Sequence, residues 1–152
     1  MHEVEVRKAT ERFFEALNRM LAGDVAPMAM VWAHGPDVMQ LGPFGRRRLG
    51  WDEVNAEFVE ASQLLQGGHV EAKDLEIRVE GNMAFAACVE QGETSERNGK
   101  KVTVGHRATS IFRRDEHGEW KMAYHHTDMA PALKELASEQ VKAAAGAPAE
   151  RG

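Results

Sequence analysis

Cysteine is nearly absent from this 152-residue sequence, in which Cys88 is the only one. No intramolecular disulfide can form, and no set of thiolates can hold a structural metal ion. Long apolar runs are also absent, and none approaches the ~18 residues that a membrane-spanning helix needs. The N-terminal segment is charged from its third residue, unlike a secretory leader. These absences predict a cytoplasmic protein that does not enter membranes.

Positive charge is scarce as well. Lys and Arg number 19 against 24 Asp and Glu, which gives a net charge of −5, and the longest basic run is the arginine triplet at 46–48. Nucleic-acid binding needs a basic face that displaces counterions from phosphates. We therefore expect no nucleic-acid partner, although one or two arginines could still hold a small anion.

The N-terminal half has the periodicity of helices. Residues 3–22 place apolar side chains at three- and four-residue steps and predict an amphipathic helix. A short second helix is expected over residues 25–33, with Asp24 as its cap. A third is expected over roughly 52–66, with Asp52 as its cap.

The second half has the composition of strands. A short strand is expected within residues 36–45, and the arginine triplet that follows is expected to lie in an exposed loop. Four longer strand-like segments are separated by turn compositions: residues 69–81, 82–96, 100–115 and 119–128. Three helices followed by a four-stranded meander predict an α+β fold, with the helices on one face of an antiparallel sheet.

One domain is expected over residues 1–135, because 43% apolar content over this length can build a single core. Residues 136–152 have few large apolar side chains and are expected to form a flexible or loosely helical tail.

The last strand carries the candidate catalytic residues. Successive side chains of a strand point to opposite faces, so one face is expected to hold Trp120, Met122, Tyr124, His126 and Asp128. His126 beside Asp128 suits proton transfer at neutral pH. Alternatively, Tyr124 and His126 are core rings whose polar tips contact the backbone. His125 belongs to the opposite face, so the two histidines cannot bind one metal ion and no metal site is expected.

The preceding strands leave alternatives open. His106 and Arg107 have opposite parity, and the alternation alone does not decide which of them faces inward. A buried Arg would need a counter-ion or an anionic ligand, whereas a buried His can stay neutral. Glu90 ends a face of small residues and is either a conceivable base or a solvated strand end. Trp32 is either the wall of a cavity or part of the core.

The order of elements resembles the nuclear transport factor 2-like, or SnoaL-like, superfamily of cone-shaped α+β domains. The resemblance rests on "VWAHGPDVMQLGPFG" with "GWDEV" after it, and on "RATSIFRRDEHGEWKMAYHHTDMAP". The resemblance is to the SnoaL-like branch, which is similar to ketosteroid isomerase-like domains and to calcium/calmodulin-dependent kinase association domains. The last strand of this branch typically reads W-x-x-x-H-x-H-x-S. Trp120 and His126 match this pattern, while Tyr124 and Asp128 replace its first His and its Ser.

The resemblance implies a pocket between three N-terminal helices and a curved sheet, and a homodimer formed through the other sheet face. It is compatible with a metal- and cofactor-independent isomerase, cyclase or hydrolase that acts on an apolar carbonyl-type substrate. His126 and Asp128 would supply acid–base chemistry, and Tyr124 a hydrogen bond. Trp32, Trp120, His106 or Arg107 would contact a small apolar or weakly anionic ligand.

The resemblance also allows a second function, a non-catalytic dimeric domain for ligand binding or oligomerisation. The tyrosine that the isomerases carry on their first helix is missing here, where Phe13 and Phe14 stand instead. Fold alone does not decide between the two functions.

Overall fold

The computed structural model describes residues 2–146 and has four helices and six strands in that range. The helices are α1 (His2–Leu21), α2 (Ala26–Val31), α3 (Trp51–Leu64) and α4 (Pro131–Gly146). The strands are β1 (Met39–Leu41), β2 (Arg47–Leu49), β3 (Leu65–Glu80), β4 (Met83–Glu96), β5 (Lys101–Arg114) and β6 (Trp120–Thr127). The α+β class and the helix-then-meander order expected from the sequence are confirmed.

The strands form one curved, open sheet in the order β2-β1-β6-β5-β4-β3. Strands β3 to β6 are the antiparallel meander that the turn compositions predicted. The short strand β1 lies parallel to β6, and β2 pairs with β1 as an edge hairpin. The expectation of a loop at residues 46–48 was wrong, because Arg47 and Arg48 are paired with β1.

Helix α1 lies across the inner face of the sheet and supplies much of the core. Its apolar stripe is buried as the three- and four-residue spacing predicted, with Val6, Ala9, Phe13 and Met20 at most 4% exposed. Helices α2 and α3 close the side of the sheet nearest β1. Trp32, at the end of α2, packs against Phe58 of α3 with 5.7 Å between ring centroids.

The helix ends differ from the expected caps. Gly50, not Asp52, precedes α3, and its φ of 84° suits glycine. Asp52 instead lies in the first turn, where its charge complements the helix dipole. Val25 is the cap residue of α2, while Asp24 accepts a hydrogen bond from the Ala26 amide at 3.3 Å.

The C-terminal helix α4 crosses the expected boundary at residue 135. Its inner side buries Leu133 and Ala137, at 3% and 4% exposure. The remainder of the expected tail, residues 147–152, lies outside the described residues. In the described part of the chain, no helix is both long enough and apolar enough to cross a membrane.

Candidate functional site

A β-bulge in β6 decides which ring side chains face the interior. Ile111 of β5 pairs with Tyr124, but the next residue, Phe112, pairs with Met122, so Ala123 is an extra residue without a partner. An extra residue in one strand reverses the alternation beyond it. Met122 is fully buried before the bulge, whereas His125 and Thr127 are the buried residues after it.

The expectation that the face of Trp120 continues through His126 to Asp128 was therefore wrong. Trp120 lies inside, but Tyr124 is half-buried and His126 and Asp128 are exposed on the outer face of the sheet. Tyr124 and His126 contact each other, with 3.1 Å between the hydroxyl and Nδ1. Their catalytic roles stay predictions from the sequence, and their surroundings are open to solvent.

The alternation in β5 answers the question that the sequence left open. His106 faces inward and is 6% exposed. Arg107 faces outward, with 82% of its side chain exposed, and its guanidinium binds both carboxylate oxygens of Asp128 at 2.8 and 3.0 Å. These contacts with Arg107 lower the pKa of Asp128 to about 2. The outer pair is thus a surface salt bridge, and the inner strand position belongs to a histidine.

The two tryptophans predicted as pocket walls are core residues. Trp120 is 3% exposed and donates its indole hydrogen to Glu5 at 3.0 Å. Trp32 is 2% exposed and packs between Trp51 and Phe58. Neither lines the interior cavity described below.

Glu90 of β4 is the centre of a buried polar cluster. Its Oε1 lies 2.7 Å from His106 Nε2, and its Oε2 lies 2.7 Å from His125 Nε2. At these distances each ring donates its Nε2 hydrogen to one carboxylate oxygen. All three residues are at most 6% exposed. The sequence suggested Glu90 as a conceivable base or a solvated strand end, and its burial excludes the latter.

The charge of this carboxylate is stabilised by its two partners. Burial raises the pKa of Glu90, but the electrostatic interaction with His125 and the hydrogen bonds from His106 and His125 outweigh it and lower the pKa to about 2. Glu90 is therefore ionised at neutral pH although it is buried, as expected for a carboxylate that accepts charge-assisted hydrogen bonds.

A second row of polar side chains continues the cluster toward β2. The other ring nitrogen of His125, Nδ1, lies 2.8 Å from Oε1 of Gln40, a buried residue of β1. Beyond Gln40 lies Glu57 of α3, which is 2% exposed and 3.4 Å from Nε of Arg48. Burial raises the pKa of Glu57, while Arg48 and the Gln40 amide oppose that rise.

Gly42 provides the room in which Gln40 meets Glu57. A Cβ atom at this position would lie 2.5 Å from Nε2 of Gln40 and 2.8 Å from Oε2 of Glu57. Any larger residue would displace one of these side chains. The Gln40 oxygen faces His125, so its amide nitrogen lies on the side of Glu57, whose buried Oε2 has no hydrogen-bond partner among the described residues.

An interior cavity of about 60 Å³ adjoins Glu90 and His106. Its other walls are apolar except for Thr94, and come from α1, the loop after β1, the sheet and α4: Leu17, Met20, Leu21, Pro43, Phe44, Leu65, Val70, Val104 and Leu133. Nδ1 of His106 is buried and has no hydrogen-bond partner among the described residues. His106 thus has an unpaired acceptor nitrogen beside apolar walls, and Oε2 of Glu57 is a second buried acceptor of the cluster without a partner among the described residues.

A larger and more open groove of about 430 Å³ lies on the outer sheet face. His126, Asp128 and Arg107 line it, together with the half-buried Cys88. Burial, with a smaller contribution from the charge of Glu90, raises the pKa of Cys88 to about 12. This thiol is protonated at neutral pH and is a poor nucleophile.

Residues 6–131 match the model of the SnoaL-like domain family. The match covers most of the chain, which therefore belongs to the SnoaL-like domain family. This fold is that of a small-molecule-binding domain. No curated protein sequence matches the chain.

Solved structures with similar folds agree with this assignment. A candidate dehydratase of the nuclear transport factor 2-like family from Streptomyces avermitilis is 23% identical over 82% of this chain and 93% of its own, with a TM-score of 0.71. A ketosteroid isomerase-like protein from Erwinia carotovora atroseptica is 17% identical over 82% of this chain and 93% of its own, with a TM-score of 0.69. A conserved protein from Planctomyces limnophilus is 26% identical over 82% of this chain and 93% of its own, with a TM-score of 0.66.

Proposed function

We propose that this domain binds a small, uncharged and largely apolar molecule between its helices and sheet, and moves a proton on it without a metal ion. His106 is the proposed base and Glu90 its orienting partner. The reaction class is that of an isomerase, cyclase or hydrolase acting at a carbonyl-type centre. The observation that carries the proposal is the buried Glu90 carboxylate, with an imidazole on each oxygen, beside an apolar cavity.

The hydrogen bond from His106 Nε2 to Glu90 supports this assignment of roles. It fixes the tautomer in which Nε2 carries the hydrogen and leaves Nδ1 as the acceptor. A proton released from a C–H or O–H group of the ligand would move to Nδ1, and the nearby carboxylate would stabilise the imidazolium that forms. Returning this proton to another atom completes an isomerisation. Positioned proton transfer of this kind contributes about 10²–10⁴ in rate.

The charges around the cavity favour an uncharged ligand. No Lys or Arg is among the described residues that line the cavity, and Arg107, the candidate for holding an anion, is on the other face of the sheet. Glu90 already accepts a hydrogen bond from each imidazole, so the cluster offers no free positive charge to an anionic ligand. A neutral molecule with one acidic hydrogen is the ligand that these walls suit.

The size of the cavity implies that its walls move when a ligand enters. A volume of 60 Å³ is far below the ~300–1,000 Å³ of ligand pockets in general. Leu133 of α4 and Phe44 cover the cavity, and no ion pair or side-chain hydrogen bond joins residues 131–146 to the rest of the described chain. We propose that α4 shifts to admit the ligand.

The test compares His106→Gln and Glu90→Gln with His126→Ala and with His117→Ala, a control in an exposed turn. Each variant is assayed for turnover of small ketones, enones and epoxides, and its melting temperature is recorded. We expect turnover to fall at least 100-fold in the two interior variants and to persist in the others. Loss of turnover in His126→Ala with retention in folded His106→Gln would move the site to the outer face and contradict the proposal.

A homodimer is the second proposal, and an apolar row on the outer face favours it. Phe85, Ile111 and Tyr124 are consecutive cross-strand neighbours there, and Met83 and Phe85 are 51% and 42% exposed. We propose that a second copy of the chain covers this row. A dimer without turnover would correspond to the non-catalytic alternative. The cytoplasmic location stays a prediction from the sequence.

A further inference from the structure

Two histidines share one carboxylate in the interior, and the environment of their other nitrogens differs. Glu90 receives one hydrogen bond from each ring, at 2.7 Å in both cases. The remaining nitrogen of His125 meets the Gln40 oxygen, whereas the remaining nitrogen of His106 meets no partner among the described residues. The cluster is symmetric at Glu90 and asymmetric at its two outer ends.

The charge balance of the cluster admits one positive ring. A buried net charge is costly, so the negative Glu90 is best matched by a single imidazolium. Two imidazoliums would leave a net positive charge, and two neutral rings a net negative one. The asymmetry at the outer nitrogens decides which ring carries the proton.

Gln40 favours a proton on His125. Its oxygen lies 2.8 Å from His125 Nδ1, and its amide nitrogen is on the side of the buried Glu57, whose Oε2 has no hydrogen-bond partner among the described residues. An amide oxygen accepts but does not donate, so Nδ1 must carry a hydrogen to make this contact. Since Nε2 of the same ring already donates to Glu90, both nitrogens of His125 are protonated.

We propose that Gln40 holds His125 as an imidazolium paired with Glu90, and thereby keeps His106 neutral with its Nδ1 free to accept a proton. Gln40 and His125 are positioning residues in this arrangement. The role of this charge arrangement rests on the proposed function, because the proton-transfer step requires a neutral His106. The charged groups around His125 are Glu90 from β4, Glu57 from α3 and Arg48 from β2, with neutral His106 from β5, and α1 contributes the apolar ring of Phe13.

The opposite orientation of Gln40 is the alternative that an experiment must exclude. A protonated Glu57 could donate to the amide oxygen, and the amide nitrogen would then donate to an unprotonated Nδ1 of His125. This arrangement holds the same number of protons but leaves His125 neutral. The two arrangements differ in the protonation of the His125 and Glu57 side chains, which spectroscopy can observe directly.

The test is long-range ¹H–¹⁵N NMR of the histidine rings in the full-length, ligand-free protein near neutral pH. We expect both ring nitrogens of His125 to have ¹⁵N shifts in the protonated range. For His106, we expect Nε2 in the protonated range and Nδ1 in the unprotonated range. In Gln40→Leu, Nδ1 of His125 should move to the unprotonated range and His106 should gain the proton. Gln40→Glu, which keeps an oxygen acceptor, should retain the wild-type pattern, as should Gln91→Leu on the exposed side of β4.

A neutral His125 in the wild-type protein, or an unchanged ring pattern in Gln40→Leu, would overturn the proposal. If Gln40→Leu does not fold, the wild-type spectrum alone decides. The outcome is independent of turnover, because no ligand is added: an inactive protein with a charged His125 would contradict the proposed function and support the charge assignment. In an active protein, Gln40→Leu should also shift the pH–rate profile to higher pH, because Glu90 would then support a proton on His106.

Discussion

Glu90 and Asp128 show how the same pKa has different consequences at different depths. Their partners lower both pKa values to about 2, but Glu90 is buried with two histidines whereas Asp128 and Arg107 are exposed. Solvent and salt screen the outer pair, which contributes little to stability. Solvent and salt do not screen the inner carboxylate. Protonating it would remove the counter-charge of a buried imidazolium and therefore destabilise the fold.

Stability should therefore fall in acid chiefly through Glu90. Its folded pKa lies below the ordinary value of 4.5, so its contribution is complete above pH ~4.5 and is lost as the pH falls toward ~2. We expect urea unfolding of the wild-type protein to weaken steeply over this window, and that of Glu90→Gln to weaken less. Asp128→Asn is the control and should follow the wild-type curve. A parallel loss in wild type and Glu90→Gln would contradict this assignment.

At the scale of elements, the bulge in β6 is what brings His125 to Glu90. Met122 and Ala123 are consecutive and both buried, which a regular strand does not allow on one face. The extra residue lets β6 satisfy its apolar contacts near Trp120 and still turn His125 inward. The site therefore depends on one residue that makes no polar contact of its own.

Deleting Ala123 should disrupt the site more than deleting a residue elsewhere in the hairpin. Restored alternation would turn His125 outward and His126 inward, or force β6 to slip against β5. We expect a fall in melting temperature of more than 10 °C, with loss of amide protection in β6 during hydrogen exchange. Deletion of Glu116, exposed in the β5–β6 turn, is the control and should have a small effect. Equal effects of the two deletions would show that the bulge is dispensable.

The helix α4 is the element that covers the cavity with the fewest contacts. Leu133 is its buried side chain at the cavity wall, at 3% exposure, while Val141 of the same helix is 58% exposed. Leu133→Ala should cost about 2–5 kcal/mol, as for buried leucines in general. It should also enlarge the cavity and speed hydrogen exchange across α4. Val141→Ala is the matched control, and similar exchange rates in both variants would argue against α4 as a moving wall.

At the scale of the whole molecule, the sheet separates two surfaces with different chemistry. The inner face holds the buried charges and the cavity under the helices. The outer face holds the apolar row of Phe85, Ile111 and Tyr124 and the salt bridge of Arg107 with Asp128. This division lets one face be covered by a second copy without blocking the interior.

Phe85→Lys should test this division. A charge at the Phe85 end of the apolar row should dissociate a dimer, because burying an unpaired ammonium is costly. Sedimentation velocity at micromolar concentration should show a dimer for the wild-type protein and a monomer of about 17 kDa for the variant. Lys101→Glu, also exposed but at the far end of β5, is the control. A wild-type protein that sediments as a monomer would contradict the proposed dimer.

The sequence by itself determined the first three helices, the meander and the family, but not helix α4. Apolar spacing at three and four residues fixes the buried side of α1, and the turn compositions fix the hairpins, since both depend on neighbours in the chain. The sequence left open whether His106 or Arg107 faces the interior. It did indicate Glu90, at the end of a face of small residues, as a conceivable base. The participation of Gln40 and Glu57 had no sequence signal.

Only the tertiary structure decided which histidine of β6 enters the site. Alternation along a strand is a local rule, and it placed His126 inside as long as the strand was taken as regular. The bulge at Ala123 arises because β6 must match Phe112 and Ile111 of β5 while burying Met122 and Ala123 under the helices. No short stretch of sequence shows how β6 meets both its pairing with β5 and its packing under the helices. The contact of His125 with Glu90, and the neighbouring positions of Gln40 and Glu57, therefore depend on the tertiary structure.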